Sequence, residues 1–196
     1  MKALVLHYGV GNIYSIKGGL QRAGFQVEVS KEVRSDVDLI VFPGVGSFSA
    51  VAKFLEERRQ TIEEAKEKGV KFLGVCLGMQ VMFEKGTEGG LNNGLGWYKG
   101  IVDRIKGEVK LPHIGWDLVR DLGWCELTEG LDGKYVYYVH SYVAYTPERP
   151  AAVSFYGVEY PAVVCNDFSV GTQFHPEKSS KAGEVFLYNL ARWVRR

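Results

Sequence analysis

The 196-residue sequence has no excess of charge of either sign: 24 Lys and Arg stand against 23 Asp and Glu, a formal net charge of +1. That removes the electrostatic case for binding nucleic acid or an anionic membrane and leaves small molecules or proteins as partners. Long hydrophobic runs are missing too. None approaches the ~20 residues needed to cross a bilayer, and MKALVLHYGVGN enters strand-like sequence without a signal-peptide pattern, so a cytoplasmic protein is expected. Cysteine is scarce, with Cys76, Cys125 and Cys165 far apart and no CxxC pair. Neither a disulfide framework nor a structural zinc site is expected. Cys125 in GWCEL and Cys165 in AVVCND stand in apolar surroundings and are expected to be small buried hydrophobes.

What is present reads as one domain over residues 1–196, with no internal repeat, low-complexity tract or long linker. The runs 2–8 (KALVLHY), 36–42 (DVDLIVF) and 70–75 (VKFLGV) are short and densely apolar, as strands covered on both faces must be, and predict a parallel sheet. Between them Ile13, Ile16, Leu20 and Ala23 share one helical face. Phe48, Val51, Ala52, Leu55, Ile62 and Ala65 share another, so the first half is α/β. After about residue 96 short aromatic and β-branched runs broken by Gly and Pro (GWYKGIVDRI, GWDLVR, KYVYYVHSYVAY, AAVSFYG, PAVVCN) predict mainly strands and loops. The C-terminal SSKAGEVFLYNLARWVRR restores a helix, with Phe186, Leu187, Leu190, Ala191 and Val194 as its stripe and Ser179 or Ser180 as its cap.

Cys76 is the thiol that carries chemistry. It falls where VKFLGV should end and LGMQVMFEK should begin as a helix, the strand end where open α/β sheets gather reactive groups. Gly74-Val75-Cys76-Leu77-Gly78 has the G-x-nucleophile-x-G form of a nucleophile elbow, whose glycines relieve crowding at a sharp strand-to-helix turn. A helix N-terminus favours the thiolate, and the N–H of Leu77 can face an oxyanion. Such a nucleophile needs a proton shuttle, and His175 in VGTQFHPEKSS has the best context of the four histidines. Pro176 stiffens the chain so that Glu177 can lie beside the imidazole and hold its tautomer. His7, His113 and His140 are expected to be structural, with backbone partners.

The segment FPGVGSF (42–48) ends a strand and enters a helix, and its glycines can present backbone N–H groups to an anion. No Walker pattern follows. Gly9 and Gly11 lack a third glycine at position 14, which is Tyr14, so a tight turn explains them better than a dinucleotide site.

With GVCLGMQ, FHPEKS and PGVGSF together, the chain resembles the class I glutamine amidotransferases over its full length. YGVGN (8–12), PGVGSF (43–48), GLGWYKGIVDRI (94–105), LPHIGWD (111–117) and YYVHSY (137–142) narrow the resemblance to the glutaminase subunits of imidazole glycerol phosphate synthases. Those supply ammonia to a TIM-barrel cyclase subunit in histidine biosynthesis. Glutaminase subunits of anthranilate, carbamoyl phosphate or GMP synthesis, or a cysteine hydrolase or peptidase of similar fold, are the alternatives. The resemblance implies a single-domain α/β fold, with a central mostly parallel sheet flanked by helices and additional antiparallel strands in the second half. It implies a Cys76-His175-Glu177 triad and an oxyanion hole from Gly44, Val45, Gly46 and Leu77. Glutamine is the implied substrate, held by Gln80, Glu88, Ser141 and Tyr142. A heterodimer interface is implied near Asn12, Trp116, Tyr137 and Lys178, with no metal and no organic cofactor. Two positions depart from the family pattern: Asp117 where Asn is usual, and His7 where Asp is often found.

Overall fold

The computed structural model describes residues 1–9, 13–44 and 46–196. Its strands are β1 (Lys2–Leu6), β2 (Gln26–Ser30), β3 (Leu39–Phe42), β4 (Lys71–Val75), β5 (Phe83–Gly86), β6 (Asn92–Asn93), β7 (Tyr98–Arg104), β8 (His113–Asp121), β9 (Lys134–His140), β10 (Tyr142–Tyr145), β11 (Ala152–Tyr156), β12 (Val158–Cys165) and β13 (Ser169–Thr172). The helices are α1 (Ile13–Arg22), α2 (Phe48–Glu56), α3 (Arg59–Glu67), α4 (Leu77–Gln80) and α5 (Ser180–Val194).

One sheet runs β2-β1-β3-β4-β13-β12-β11-β8-β9, and a second runs β10-β7-β5-β6. From β2 to β13 the neighbours are parallel, and from β13 to β9 they are antiparallel. The expected division between a parallel first half and a strand-rich second half therefore runs through the large sheet, except that β7 and β10 of the second half belong to the small one. Strands β3 and β4 are fully apolar at nearly every position because both faces are covered. Beneath one face lie Ile16 and Leu20 of α1 with Phe186, Leu187 and Leu190 of α5, all buried. Each such side chain contributes roughly 1.5–3 kcal/mol on removal from water. The other face packs against Phe48, Val51 and Leu55 of α2 and Ile62 of α3.

Five expectations need correction. The apolar face 48–65 is carried by two helices, because the chain breaks at Glu57 and Arg58, where the Arg58 guanidinium ties the carbonyls of Lys31 and Phe54. The helix expected over LGMQVMFEK is a single turn, α4. The carbonyls of Val81 and Met82 accept from Leu95 and Trp97, which draws the chain out into β5. Strand β2 stands between α1 and β3 where no strand is expected; its alternating QVEVS is short and has no fully buried position. Ser179 stands at the N-cap position of α5 and makes no capping bond, its hydroxyl being used elsewhere, while Ser180 has φ 50° inside the helix start. Cys125 and Cys165, expected as separate buried thiols, are joined as a disulfide that ties the loop after β8 to the end of β12 across 40 residues. Spacing in the sequence carries no sign of this, because the pairing depends on the order β12-β11-β8, which brings the end of β12 beside the loop after β8. No described helix is long and apolar enough to cross a membrane.

Candidate active site

Three adjacent parallel strands end at one edge of the sheet. Strand β3 ends at Phe42, and Pro43 and Gly44 follow it. Strand β4 ends at Val75, directly before Cys76. Strand β13 ends at Thr172, three residues before His175. The register pairs Val75 with Thr172, and the Cys76 N–H donates to the Thr172 carbonyl at 2.6 Å. Neighbouring strand ends therefore bring together residues 99 positions apart in sequence, Cys76 and His175.

Cys76 has φ 51° and ψ −109°, a backbone conformation unfavourable for any residue with a side chain. The glycines around it are sterically required. A Cβ on Gly78 would sit on the Phe42 carbonyl, and one on Gly74 would sit on the backbone of Gly78. A Cβ on Gly44 would lie 2.8 Å from Cys76 Cβ and 3.1 Å from the His175 ring. Leu77 opens α4 directly after the thiol. With one turn of helix behind it, the dipole assistance expected for the thiolate is small, since the macrodipole is a sum over aligned peptides. Val45, expected in the oxyanion loop, lies outside the described residues. Gly46 has φ +95°, which suits glycine alone.

His175 is the residue before a single 3-10 turn, Pro176–Lys178, which folds Glu177 back onto the ring. Nδ1 donates to Glu177 Oε1 at 2.8 Å, with both side chains over nine-tenths buried. Nε2 makes no hydrogen bond among the described residues and is the ring atom left for proton transfer. Burial alone would lower the His175 pKa, but the Cys76 sulfur and the Glu177 carboxylate together raise it to about 10. A protonated imidazolium is the state of the ring this favours near neutral pH. His175 is also held through its backbone, its N–H donating to Tyr137 O at 3.0 Å. Ser179 Oγ donates to the His175 carbonyl at 2.6 Å and accepts the Tyr137 N–H at 2.9 Å. This brace was missed in the sequence, where Ser179 reads as a helix cap.

The outer edge of β9 thus lies along the site, and the Cys76 thiol points its S–H at Val139 O, 3.7 Å away. Gln80, one turn after the nucleophile, is 3 % exposed. Its Nε2 donates to Tyr142 O at 2.9 Å and to Gln173 Oε1 at 3.0 Å. Gln173 in turn donates from Nε2 to Cys76 Sγ at 3.5 Å. Gln173 also escaped the sequence reading, although a glutamine inside the apolar run VGTQF signals a buried amide in need of partners. Glu88 accepts the N–H of Phe48 at 3.0 Å, at the start of α2 and so directly after the Gly44–Gly46 loop. The Ser141 carbonyl is taken by the Ile105 N–H.

Of the residues expected at a partner interface, Trp116 and Tyr137 face each other across β8 and β9 with ring centroids 5.9 Å apart, and Lys178 Nζ stands 6.0 Å from the Tyr137 ring. Asn12 lies outside the described residues. His7 accepts the Gly9 N–H on Nδ1, as a structural histidine would. Asp117 meets His113 Nε2 at 3.1 Å, and His113 Nδ1 lies 3.4 Å from His140 Nε2. His140 is pushed down to about 3 by burial and by the neighbouring His113 and His175, against the opposing pull of the Tyr142 carbonyl, and is therefore neutral. A cavity of about 250 Å³ runs between Gly44, His175, Val139 and Lys178, while a larger one of about 510 Å³ lies between α1 and α5 behind Glu177. No group of three or more metal-ligating side chains occurs among the described residues.

A thiol on a strained elbow and a buried His-Glu pair, with Gly44 packed against both, define a cysteine-dependent amide-cleaving site. The model of the class I glutamine amidotransferases matches residues 4–192, and the chain belongs to that family. It is 61% identical to the imidazole glycerol phosphate synthase subunit HisH of Saccharolobus solfataricus and 63% identical to that of Sulfurisphaera tokodaii, in both cases over all of either chain. A crystal structure of a glutamine amidotransferase from Thermotoga maritima shares the fold with a TM-score of 0.73 at 18% identity, covering 100% of this chain and 99% of that one.

Proposed function

We propose that the chain, as one domain over residues 1–196, is the glutaminase subunit of an imidazole glycerol phosphate synthase. It works in the cytoplasm as a heterodimer with a TIM-barrel cyclase subunit. Full-length identity to relatives of that name supports the assembly. The observation that carries the chemistry is Cys76 on its elbow, facing the buried His175-Glu177 pair across Gly44.

In this reading Cys76 attacks the side-chain carboxamide carbon of glutamine, and the N–H of Leu77 with one from the Gly44-Val45-Gly46 loop holds the tetrahedral oxyanion. His175 Nε2 gives its proton to the leaving nitrogen, ammonia departs, and a γ-glutamyl thioester remains. The neutral ring then takes a proton from water as water attacks the thioester, and glutamate and the thiolate are released. Glu177 keeps Nδ1 protonated throughout, so Nε2 is always the exchanging atom. Gln80, Glu88 and the backbone of Ser141 and Tyr142 hold the amino-acid end of the substrate. No step uses a metal or an organic cofactor.

Ammonia freed into water near neutral pH is mostly protonated and loses its nucleophilic lone pair. A covered route to a second active site avoids that loss, and the cavity from His175 to Lys178 supports an exit toward the Trp116–Tyr137 side. The test is glutamate release from glutamine by the chain alone, and with the cyclase subunit and its ribonucleotide ligand, with Cys76→Ala as control. Strong stimulation that disappears in Cys76→Ala is expected. Activity indifferent to the cyclase subunit points to another synthase, and turnover surviving Cys76→Ala overturns the mechanism.

A further inference from the structure

We propose that Gln173 is a further catalytic residue, a buried amide that donates to the Cys76 sulfur and holds it as the attacking thiolate. The proposal deepens the glutaminase reading and rests on Cys76 being its nucleophile.

The polarity of this contact is set from a distance. The Tyr142 carbonyl can only accept, so the group Gln80 turns toward it, 2.9 Å away, must be its NH2. The other N–H of that same nitrogen reaches Gln173 at 3.0 Å, which obliges Gln173 to present its oxygen there. Its NH2 is then left facing Cys76 Sγ at 3.5 Å. Reversing either amide would set oxygen against oxygen or nitrogen against nitrogen. With Gln173 fully buried, neither mismatch could be relieved by solvent. The neutral His140, whose Nδ1 lies 3.0 Å from the same Tyr142 oxygen, donates to it as well and anchors the acceptor from its other side.

A donor at the sulfur matters because of what stands opposite. Val139 O takes the S–H of the thiol at 3.7 Å and would repel the thiolate. Gln173 is the fixed dipole with the reverse preference: its N–H bonds the anion more strongly than the thiol. His175 supplies the counter-charge but must move a proton to the leaving nitrogen during the reaction. Gln173 has no proton to lose, and it keeps the sulfur anionic and aimed whichever state His175 is in. Its placement two residues before His175, with only Phe174 between, joins the amide and the shuttle to one short segment after β13.

The experiment compares the intact chain with Gln173→Met and Gln173→Leu, which keep the bulk and remove the donor, after thermal unfolding has shown each variant folded. The rate of iodoacetamide alkylation of Cys76 is followed from pH 5 to 10 without glutamine or partner. Loss of a hydrogen bond to an anion predicts alkylation slower by about tenfold near neutral pH, with the midpoint of its pH profile displaced upward in both variants. In glutamate release, kcat falls by a similar factor while KM for glutamine changes less than about threefold. Profiles superimposing on the parent's overturn the proposal, as does a loss confined to KM. Because alkylation needs no substrate, a chain that fails to hydrolyse glutamine would still report on Gln173.

Discussion

At the scale of single residues the site is organised by steric conflict. Cys76 is held at φ 51° and ψ −109° by the strand pair behind it and the one-turn helix in front. Holding a side-chain-bearing residue in such a conformation costs of order 1–3 kcal/mol. Cys76→Gly is therefore expected to unfold at higher denaturant than Cys76→Ala by roughly 1 kcal/mol or more, the reverse of the usual order, with neither variant hydrolysing glutamine. Equal midpoints would mean that the elbow stores no strain. The glycines around it obey the same sterics. A methyl at Gly44 meets Cys76, the backbone carbonyl of Val75 and the His175 ring, so Gly44→Ala should cut glutamate release at least tenfold and lower the melting temperature as well. A methyl at Gly78 meets the Phe42 carbonyl in the sheet, so Gly78→Ala should lower the melting temperature by several degrees, and unchanged melting would refute that. The elbow could be read in the sequence because glycine spacing is a local signal. For Gln173 the run VGTQF marks a buried amide but not its partner, and for Ser179 nothing marks its bonds to His175 and Tyr137, since only the juxtaposition of β4, β13 and β9 brings those partners near.

Among the elements, the strands covered on both faces formed as expected, as did the half-buried β8 and β9 and the amphipathic α5, while the edge strand β2 and the helix after Cys76 departed from expectation. KALVL, LIVF and KFLGV are strands: runs this short and rich in Val, Leu and Ile suit a sheet covered on both faces better than a buried helix. QVEVS at the edge has no fully buried position, yet Val27 and Val29 alternate with polar residues, a short strand signal that its neighbours' denser apolar runs overshadow. The truncation of α4 follows from carbonyls captured by the 95–97 segment, a contact with no local signature. The pairing of Cys125 with Cys165 is of the same kind. Closing a loop of 40 residues reduces the freedom of the unfolded chain by an amount equivalent to about 4 kcal/mol. Cys125→Ala should accordingly lower stability by about 2–4 kcal/mol without reductant, and thiol counting on the unfolded, unreduced chain should find one alkylatable cysteine. Three thiols, or a variant as stable as the parent, would show that the bridge does not form in solution.

Across the whole molecule two histidines pull stability in opposite directions with pH. His140 is held at about 3 against an ordinary 6.5, chiefly by burial. Below pH 6.5 the unfolded chain therefore takes up a proton that the folded chain refuses, and stability falls toward pH 3 by up to about 1.4 kcal/mol per unit. His175, raised to about 10 by Cys76 and Glu177 against its burial, contributes in full below 6.5 and loses that contribution as pH climbs to 10. Denaturant midpoints between pH 4 and 10 should show a flatter acid limb in His140→Asn and a flatter alkaline limb in His175→Asn. Parallel curves would dismiss both assignments. The largest feature at this scale is the β8–β9 ribbon. Its inner face buries His113, Val136, Tyr138 and His140, while its outer face exposes Ile114, Trp116, Leu118 and Tyr135. In register, Trp116 stands opposite Tyr137 and Leu118 opposite Tyr135, so these side chains form one continuous apolar patch. Such a surface on a chain of net charge +1 fits a protein partner held by aromatic anchors; Trp116 and Tyr137 stand at its middle, with Lys178 near the Tyr137 ring, and the Ile114–Val139 pair ends it at the cavity by His175. Leu118 lies two residues further along β8 than Trp116, away from the triad. Leu118→Arg places a charge on the apolar patch, at its end away from the site. Calorimetric titration with the cyclase subunit should then show affinity weakened at least tenfold, with basal glutamate release unchanged. Undiminished affinity would move the contact off this ribbon, and with it the proposed exit for ammonia.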